Sequence, residues 1–229
     1  LHASELFAEK NKFSSMGIEA EKMTVNLEGM MKYKSDGVEG NVKGIDFLFK
    51  KNKVDNKHAD AQIISSNKIL LKSTDGDEEE VNCKNIVIAT GSTPSSLPGI
   101  DISGEKIISS TDALSLTNVP EKLIVVGGGY IGLELGSVWS RLGSEVTVIE
   151  YFDRIVPGAD KEIAINLEKI LNKQGLNFLL SSEVTSVNEE GDEAIVSVKN
   201  RENNEESNIS AKKVLISTGR RPCTDNLFS

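Results

Sequence analysis

Cysteine and histidine are scarce in this sequence, with two of each among 229 residues. Cys83 and Cys223 are far apart and lack a CxxC spacing, so neither a disulfide framework nor a zinc site is indicated. Both are read as ordinary thiols. His2 and His58 are too few and too scattered for a metal centre and are read as surface residues. Basic residues are outnumbered: 26 Lys and Arg against 35 Asp and Glu leave a net charge of -9. With a pI near 4.9, that balance argues against nucleic acid or an anionic membrane as partner. No apolar run approaches the roughly 20 residues of a transmembrane helix. Nothing at Leu1 has the basic-then-apolar pattern of a secretion signal. These absences lead us to expect a soluble cytoplasmic protein, with length for one large or two ordinary domains.

What is present centres on LIVVGGGYIGLELG, from Leu123 to Gly136. Leu123 to Val126 is an apolar run closed by glycine, as in a strand buried on both faces of a parallel sheet. Gly127, Gly129 and Gly132 then stand at GxGxxG spacing. The first permits a tight turn, the second keeps a side chain from between backbone and a pyrophosphate, and the third lets the next helix press onto the strand. Gly132, Gly136 and Ser140 fall four apart on one helix face, predicting a small-residue stripe against the sheet. A mid-helix glycine costs about 0.8 to 1 kcal/mol relative to alanine, so Gly136 is expected where close packing offsets that loss. The helix start combines unpaired amides with roughly half a positive charge, an anion site suited to a dinucleotide's phosphates. A second strand, Val146 to Ile149, ends in Glu150. A carboxylate there accepts hydrogen bonds from a ribose diol and repels a 2'-phosphate, which predicts NAD in preference to NADP. A glycine-rich turn in an arbitrary α/β core remains the competing interpretation of the glycines alone.

The flanking chain alternates in pattern. Leu1 to about Met16 reads as helix ended by Gly17. Leu27 to Lys51 reads as a longer helix whose apolar residues, among them Met30, Met31, Val38, Val42, Ile45 and Phe49, predict a packed helix pair. From His58 to Ser73 strands are predicted, with Asp75-Gly76 as a hairpin turn and the acidic run Asp77 to Glu80 as a solvated flank. Ile86 to Ala89 reads as a buried strand leading into Thr90-Gly91-Ser92, with Pro94 and Pro98 marking a linker. A short helix is expected near Asp112 to Leu116. Asp160 is placed as the cap of a helix whose face is Ile163, Leu167, Ile170 and Leu171, ended by Gly175. Strands follow near Phe178 to Val187, Ala194 to Lys199 and Val214 to Ser217, with Arg201 to Asn208 as an exposed loop. One internal echo stands out. IVIATGSTP from Ile86 to Pro94 matches VLISTGRRP from Val214 to Pro222 at an offset of 128 residues, as two related nucleotide-binding domains, one nested in the other, would produce.

Ile88-Ala89-Thr90-Gly91-Ser92, the GGGYIGLELGSVWSRLGSEVTVIE segment and Ile216-Ser217-Thr218-Gly219-Arg220-Arg221-Pro222 together resemble the two-dinucleotide-fold flavoprotein disulfide reductases, in particular their dihydrolipoamide-oxidising branch. The resemblance implies an α/β fold: a Rossmann-like NAD-binding domain, a parallel sheet with helices plus a β-meander, nested in part of a related FAD-binding domain. It divides the chain into residues 1–93 of the FAD domain, 94–222 of the NAD domain and a return segment 223–229. It implies that dihydrolipoamide, carried on an acyltransferase component of a 2-oxo acid dehydrogenase complex, reduces a cysteine pair upstream of Leu1, and that FAD then passes hydride to NAD. An acid/base histidine is expected in a dimerisation domain beyond Ser229, so that the full-length protein is a homodimer and this chain carries no catalytic residue.

Position by position, the resemblance implies that Gly127, Gly128, Gly129, Tyr130, Ile131 and Gly132 form the pyrophosphate loop of NAD, with Ile131 and Glu134 beside the nicotinamide. Spacing alone makes Glu134 a helix-surface carboxylate. Glu150 matches the ribose acid, and Val184 and Gly219 match backbone contacts to the cofactor's far end. Thr90, Gly91 and Ser92 match an FAD contact, and Ala59 stands where the family usually has a glycine against the adenine of FAD. No metal is implied. Alternatives are another reductase of the family, of glutathione, mercuric or NADH-oxidising type, and a non-catalytic NAD-binding module. An NADPH-using member would want arginines just after the second strand, where only Arg154 stands nearby.

Overall fold

The computed structural model describes residues 1–20 and 22–228. In chain order the elements are α1 (His2–Glu9), α2 (Leu27–Lys51), β1 (Asp60–Ser65), β2 (Lys68–Lys72), β3 (Glu78–Asn82), β4 (Ser92–Pro94) and β5 (Ile107–Ile108). Then come α3 (Ser110–Ala113), β6 (Lys122–Val126), α4 (Tyr130–Leu142), β7 (Glu145–Ile149), α5 (Lys161–Lys173) and β8 (Leu176–Leu179). The chain closes with β9 (Ser182–Glu190), β10 (Glu193–Asn200), β11 (Glu206–Ala211), β12 (Lys213–Ile216) and β13 (Arg220–Pro222). It divides into two compact units, one of Leu1–Lys32 with Pro94–Gly219, the other of Tyr33–Thr93 with Arg220–Ser229. No helix among the described residues is long and apolar enough to cross a membrane.

The first unit is built on a parallel sheet in the order β5-β12-β6-β7-β8. Side chains alternate across a strand, and β6 distributes its four buried residues accordingly. Leu123 and Val125 join an apolar cluster with Leu133, Trp139, Ile155 and Leu171 on the helical side. Ile124 and Val126 join a second cluster with Ala194, Val196, Val198 and Ala211 of the meander. β6 is therefore apolar throughout because helices cover one face and the antiparallel sheet β11-β10-β9 covers the other. Burial of each such side chain contributes about 1.5 to 3 kcal/mol, an upper figure because the unfolded chain is already partly collapsed.

Helix α5 starts as predicted, with the Asp160 carboxylate accepting from the amides of Glu162 and Ile163. Its buried residues, however, are Ala164 and Leu171, while Ile163 is 61% and Ile170 52% exposed. The axis is rotated so that the small Ala164, absent from the apolar pattern, lies against the core. Residues Arg201 to Asn208 are not all loop, since β11 begins at Glu206 and pairs Asn208 with Ser197. An edge strand with one face in water carries polar residues, which polarity alone reads as loop. The stretch from Phe178 to Val187 is two strands, broken at Ser181, whose φ is 49°. The short helix α3 precedes its expected place, fixed by a capping box between Ser109 and Asp112.

In the second unit β1, β2 and β3 form an antiparallel sheet, with the Asp75-Gly76 turn between β2 and β3 closed by Ser73 and Asp77. All of the acidic run but Asp77 lies in β3, where Glu78 and Glu80 face Lys72 and Lys68 at 3.1 and 2.8 Å and Glu79 meets Lys57 at 2.8 Å. The pairs of Glu78 and Glu80 with β2 are cross-strand ion pairs, and Lys57 reaches Glu79 from the segment ahead of β1. Ile86 to Ala89 forms no strand, and Val87 is 87% exposed. A strand exists only through its ladder bonds, and no described residue supplies them here. α2 has the predicted bounds but no buried residue. Only Leu27 and Met31 pack on the core of the first unit, and Val38, Val42 and Ile45 are exposed, so the expected packed pair is not formed.

Candidate functional site

The turn from β6 to α4 is assembled from main chain. Gly127 donates its amide to the Ile149 carbonyl at 2.8 Å and holds φ at +103°. A Cβ there would lie 2.8 Å from the Ser217 carbonyl oxygen, so both conformation and space require glycine. Ser217 Oγ lies 2.9 and 3.1 Å from the carbonyl oxygens of Val126 and Gly127, which ties β12 to the turn. Gly128 donates its amide to Glu150 Oε2 at 2.6 Å and accepts from the Val156 amide at 2.9 Å. Gly132 is the tightest of the set. A Cβ on it would meet the Gly127 oxygen at 2.4 Å and Ser217 Oγ at 2.5 Å, so the first turn of α4 sits directly on the strand.

Gly129 is different. It is the N-cap of α4, with no side-chain cap hydrogen bond, and a Cβ built on it meets nothing within 4 Å. Space is thus left open beside the amides of Tyr130 and Ile131, where the helix carries its positive end. Tyr130 is 67% exposed, and Ile131 is half-buried on the core below. Among the described residues no atom lies within 4 Å of a Cβ placed on Gly129, so the N-terminus of α4 is open to solvent at this point.

Glu150 is 6% exposed, and its carboxylate is already engaged. Oε2 accepts from Gly128, and Oε1 accepts from the Phe152 amide at 2.9 Å. Each carboxylate oxygen accepts two hydrogen bonds, so capacity for a ribose diol remains. The structure therefore brings Gly127 to Gly132 and Glu150 into one bonded group, and spacing gave no sign that the acid anchors the glycine turn itself.

Glu134 is exposed on α4. Val184 lies on β9, half-buried against the meander-side cluster, and Gly219 is exposed after β12 with φ of +152°. Ala59 is half-buried just ahead of β1 in the second unit. Thr90, Gly91 and Ser92 are exposed in that unit, where Gly91 accepts from the Cys223 amide and Ser92 Oγ accepts from Arg220 Nε at 2.7 Å. The two halves of the internal echo end in β4 and β13, which pair with each other. The small-residue stripe is looser than expected: Gly136 is buried, but a Cβ on it would contact Val146 and Val125 at 3.4 and 3.6 Å, ordinary van der Waals distances. Ser217 at the turn, Ile155 against Gly128 and Arg201 on the Tyr151 carbonyl carry no sequence signal as site residues, since each lies remote in sequence from what it touches.

The description of the matching family model is pyridine nucleotide-disulphide oxidoreductase, over residues 4–229. Dihydrolipoyl dehydrogenase 3 of Pseudomonas putida is 48% identical over 99% of this chain and 49% of its own length. The mitochondrial dihydrolipoyl dehydrogenase 1 of Arabidopsis thaliana is 45% identical over 99% of this chain and 45% of its own. The chain thus spans about half the length of the curated relatives it matches. Among solved structures, LpdA of Mycobacterium tuberculosis superposes with a TM-score of 0.87 over 99% of this chain and 49% of that one, a likeness of fold at 22% identity. An open glycine cradle, a carboxylate bonded to it and a family match running from Ser4 to Ser229 lead to one assignment: the chain belongs to the pyridine nucleotide-disulphide oxidoreductase family.

Proposed function

We propose that the chain is the NAD-binding part of a dihydrolipoyl dehydrogenase, together with part of its FAD-binding domain. In this reading dihydrolipoamide, on an acyltransferase component of a 2-oxo acid dehydrogenase complex, is oxidised with FAD and a redox disulfide, and hydride passes to NAD in a homodimeric enzyme. The relatives at 45 and 48% identity support the enzyme class. FAD and NAD, when bound, supply the two-electron chemistry, and this chain's residues bind and orient.

The observation that carries the reading is the pairing of empty space at Gly129 with the Glu150 carboxylate bonded to Gly128. The amides of Gly129, Tyr130 and Ile131 would take the diphosphate, and Glu150 would take the adenosine ribose and repel a 2'-phosphate. Ile131 and Glu134 would lie beside the nicotinamide, with Val184 and Gly219 contributing main-chain contacts. Ala59, Thr90, Gly91 and Ser92 would serve FAD. Titration of the full chain with NADH and with NADPH tests this. NADH is expected to bind tighter; tighter NADPH overturns the role of Glu150, and binding of neither overturns the dinucleotide reading.

A further inference from the structure

Past the C-terminal end of β7, the backbone that carries Glu150 is fastened in a closed ring of contacts. The Glu150 amide donates to the Leu179 carbonyl and its carbonyl accepts from the Ser182 amide, both at 2.9 Å. Phe152 accepts from the Ser181 amide at 2.8 Å. Ser181 in turn accepts from the Arg201 amide at 2.7 Å, and its hydroxyl donates to Glu202 Oε1 at 2.9 Å. Arg201 then returns to the start. Its guanidinium lies 3.7 Å from the centroid of the Tyr151 ring, and Nη1 donates to the Tyr151 carbonyl at 3.0 Å. Phe152 meets the Tyr151 ring edge-on at 5.5 Å.

Residues 150–155 form no helix or strand, so beyond the main-chain bonds of Glu150 and Phe152 their conformation depends on side-chain contacts. Yet Glu150 must present its carboxylate to Gly128 within a hydrogen-bond length. The β10–β11 turn, fifty residues further along the chain, adds a direct restraint on Tyr151 through the Arg201 side chain, beside the Arg201 amide and the Glu202 carboxylate on Ser181. Arg suits this task because a planar guanidinium stacks on a ring and donates to a carbonyl at the same time.

We propose that Arg201 is a positioning residue for the adenosine end of the dinucleotide: by stacking on Tyr151 and bonding its carbonyl, it holds the Glu150 loop in the conformation that receives the ribose. The inference rests on the assignment of Glu150 to that ribose. It commits the meander, otherwise a cover for the sheet, to a share in cofactor affinity.

The test measures dissociation constants of NADH and of AMP for the full chain and its variants, with circular dichroism and thermal melting as a check on folding. Arg201→Ala is expected to weaken NADH and AMP by the same factor, about three- to tenfold, as suits a partly exposed cation–π contact plus one hydrogen bond. Arg201→Lys is expected to recover only part, because an ammonium has no plane to stack. Tyr151→Leu, which keeps the carbonyl but not the ring, should lose part of what Arg201→Ala loses, and Tyr151→Phe should bind as the wild type does, since ring and carbonyl both remain. Unchanged constants in Arg201→Ala overturn the inference while the dinucleotide assignment stands, as does a loss for NADH that AMP does not share. A wild-type chain that binds neither ligand overturns the assignment and the inference together.

Discussion

The Glu150 carboxylate accepts the Gly128 amide at 2.6 Å, so the residue expected to select the sugar also shapes the turn expected to hold the phosphates. Both groups are buried. Glu150→Gln keeps the volume but turns an NH2 group toward one of two backbone donors, leaving a buried amide unpaired. We expect a stability loss of about 1 to 3 kcal/mol by urea unfolding and a fall in the ratio of NADH to NADPH affinity. A variant as stable as wild type with unchanged cofactor preference would show that the carboxylate serves neither purpose.

Gly129→Ala separates folding from binding. Its φ of -77° suits alanine, and the added methyl meets no protein atom within 4 Å. The melting temperature should stay within about a degree or rise slightly, as for a surface substitution. NADH affinity should drop at least about tenfold, because the methyl occupies the approach of the diphosphate.

Gly132→Ala and Gly136→Ala are expected to act in opposite directions although both glycines are buried in one helix. At Gly132 the methyl collides with main chain, and overpacking of this kind costs about 1 to 3 kcal/mol. At Gly136 the nearest atoms are 3.4 to 3.7 Å away, so the helix preference for alanine, about 0.8 to 1 kcal/mol, should appear as a raised melting temperature. Equal melting temperatures for the two variants would contradict the packing described.

Acid should weaken one tie between the meander and the loop ahead of β5. The Ser103 hydroxyl, against the opposing effect of burial and with the help of the Lys106 ammonium, holds the Glu189 carboxyl below the usual glutamate range. A depressed folded value means the contribution is complete above the unfolded pKa of about 4.3 and is lost as pH falls through the folded value. The difference in melting temperature between wild type and Glu189→Gln should therefore be present at neutral pH and shrink below about pH 4. A difference independent of pH would exclude this linkage.

Much of this fold is local enough to read along the chain. The β6 apolar run, the glycine turn after it, the Asp160 cap, the Asp75-Gly76 hairpin and the bounds of α2 each follow from neighbours within a few residues. Their physics is that of dihedral preference, capping and period. Where the same local signal has two outcomes, the surroundings decide. An apolar tetrapeptide is a strand in β12 because β5 and β6 flank it. A similar one from Ile86 to Ala89 has no ladder partner among the described residues and lies exposed. Likewise the apolar residues of α5 marked a helix correctly but not which of its sides is buried, because Ala164 carries too little hydrophobic signal to orient it.

From the order of residues alone came β6, α4, β7, the capped start of α5, the glycine spacing and the acid at the strand tip, since each depends on backbone sterics and on side chains a few positions apart. Tertiary structure alone decided that Gly132 admits no methyl while Gly136 does, that Glu150 is pinned by Gly128 and Phe152, and that Arg201 reaches back to Tyr151. Those facts depend on distances between segments far apart in the chain, which packing sets and no local preference encodes.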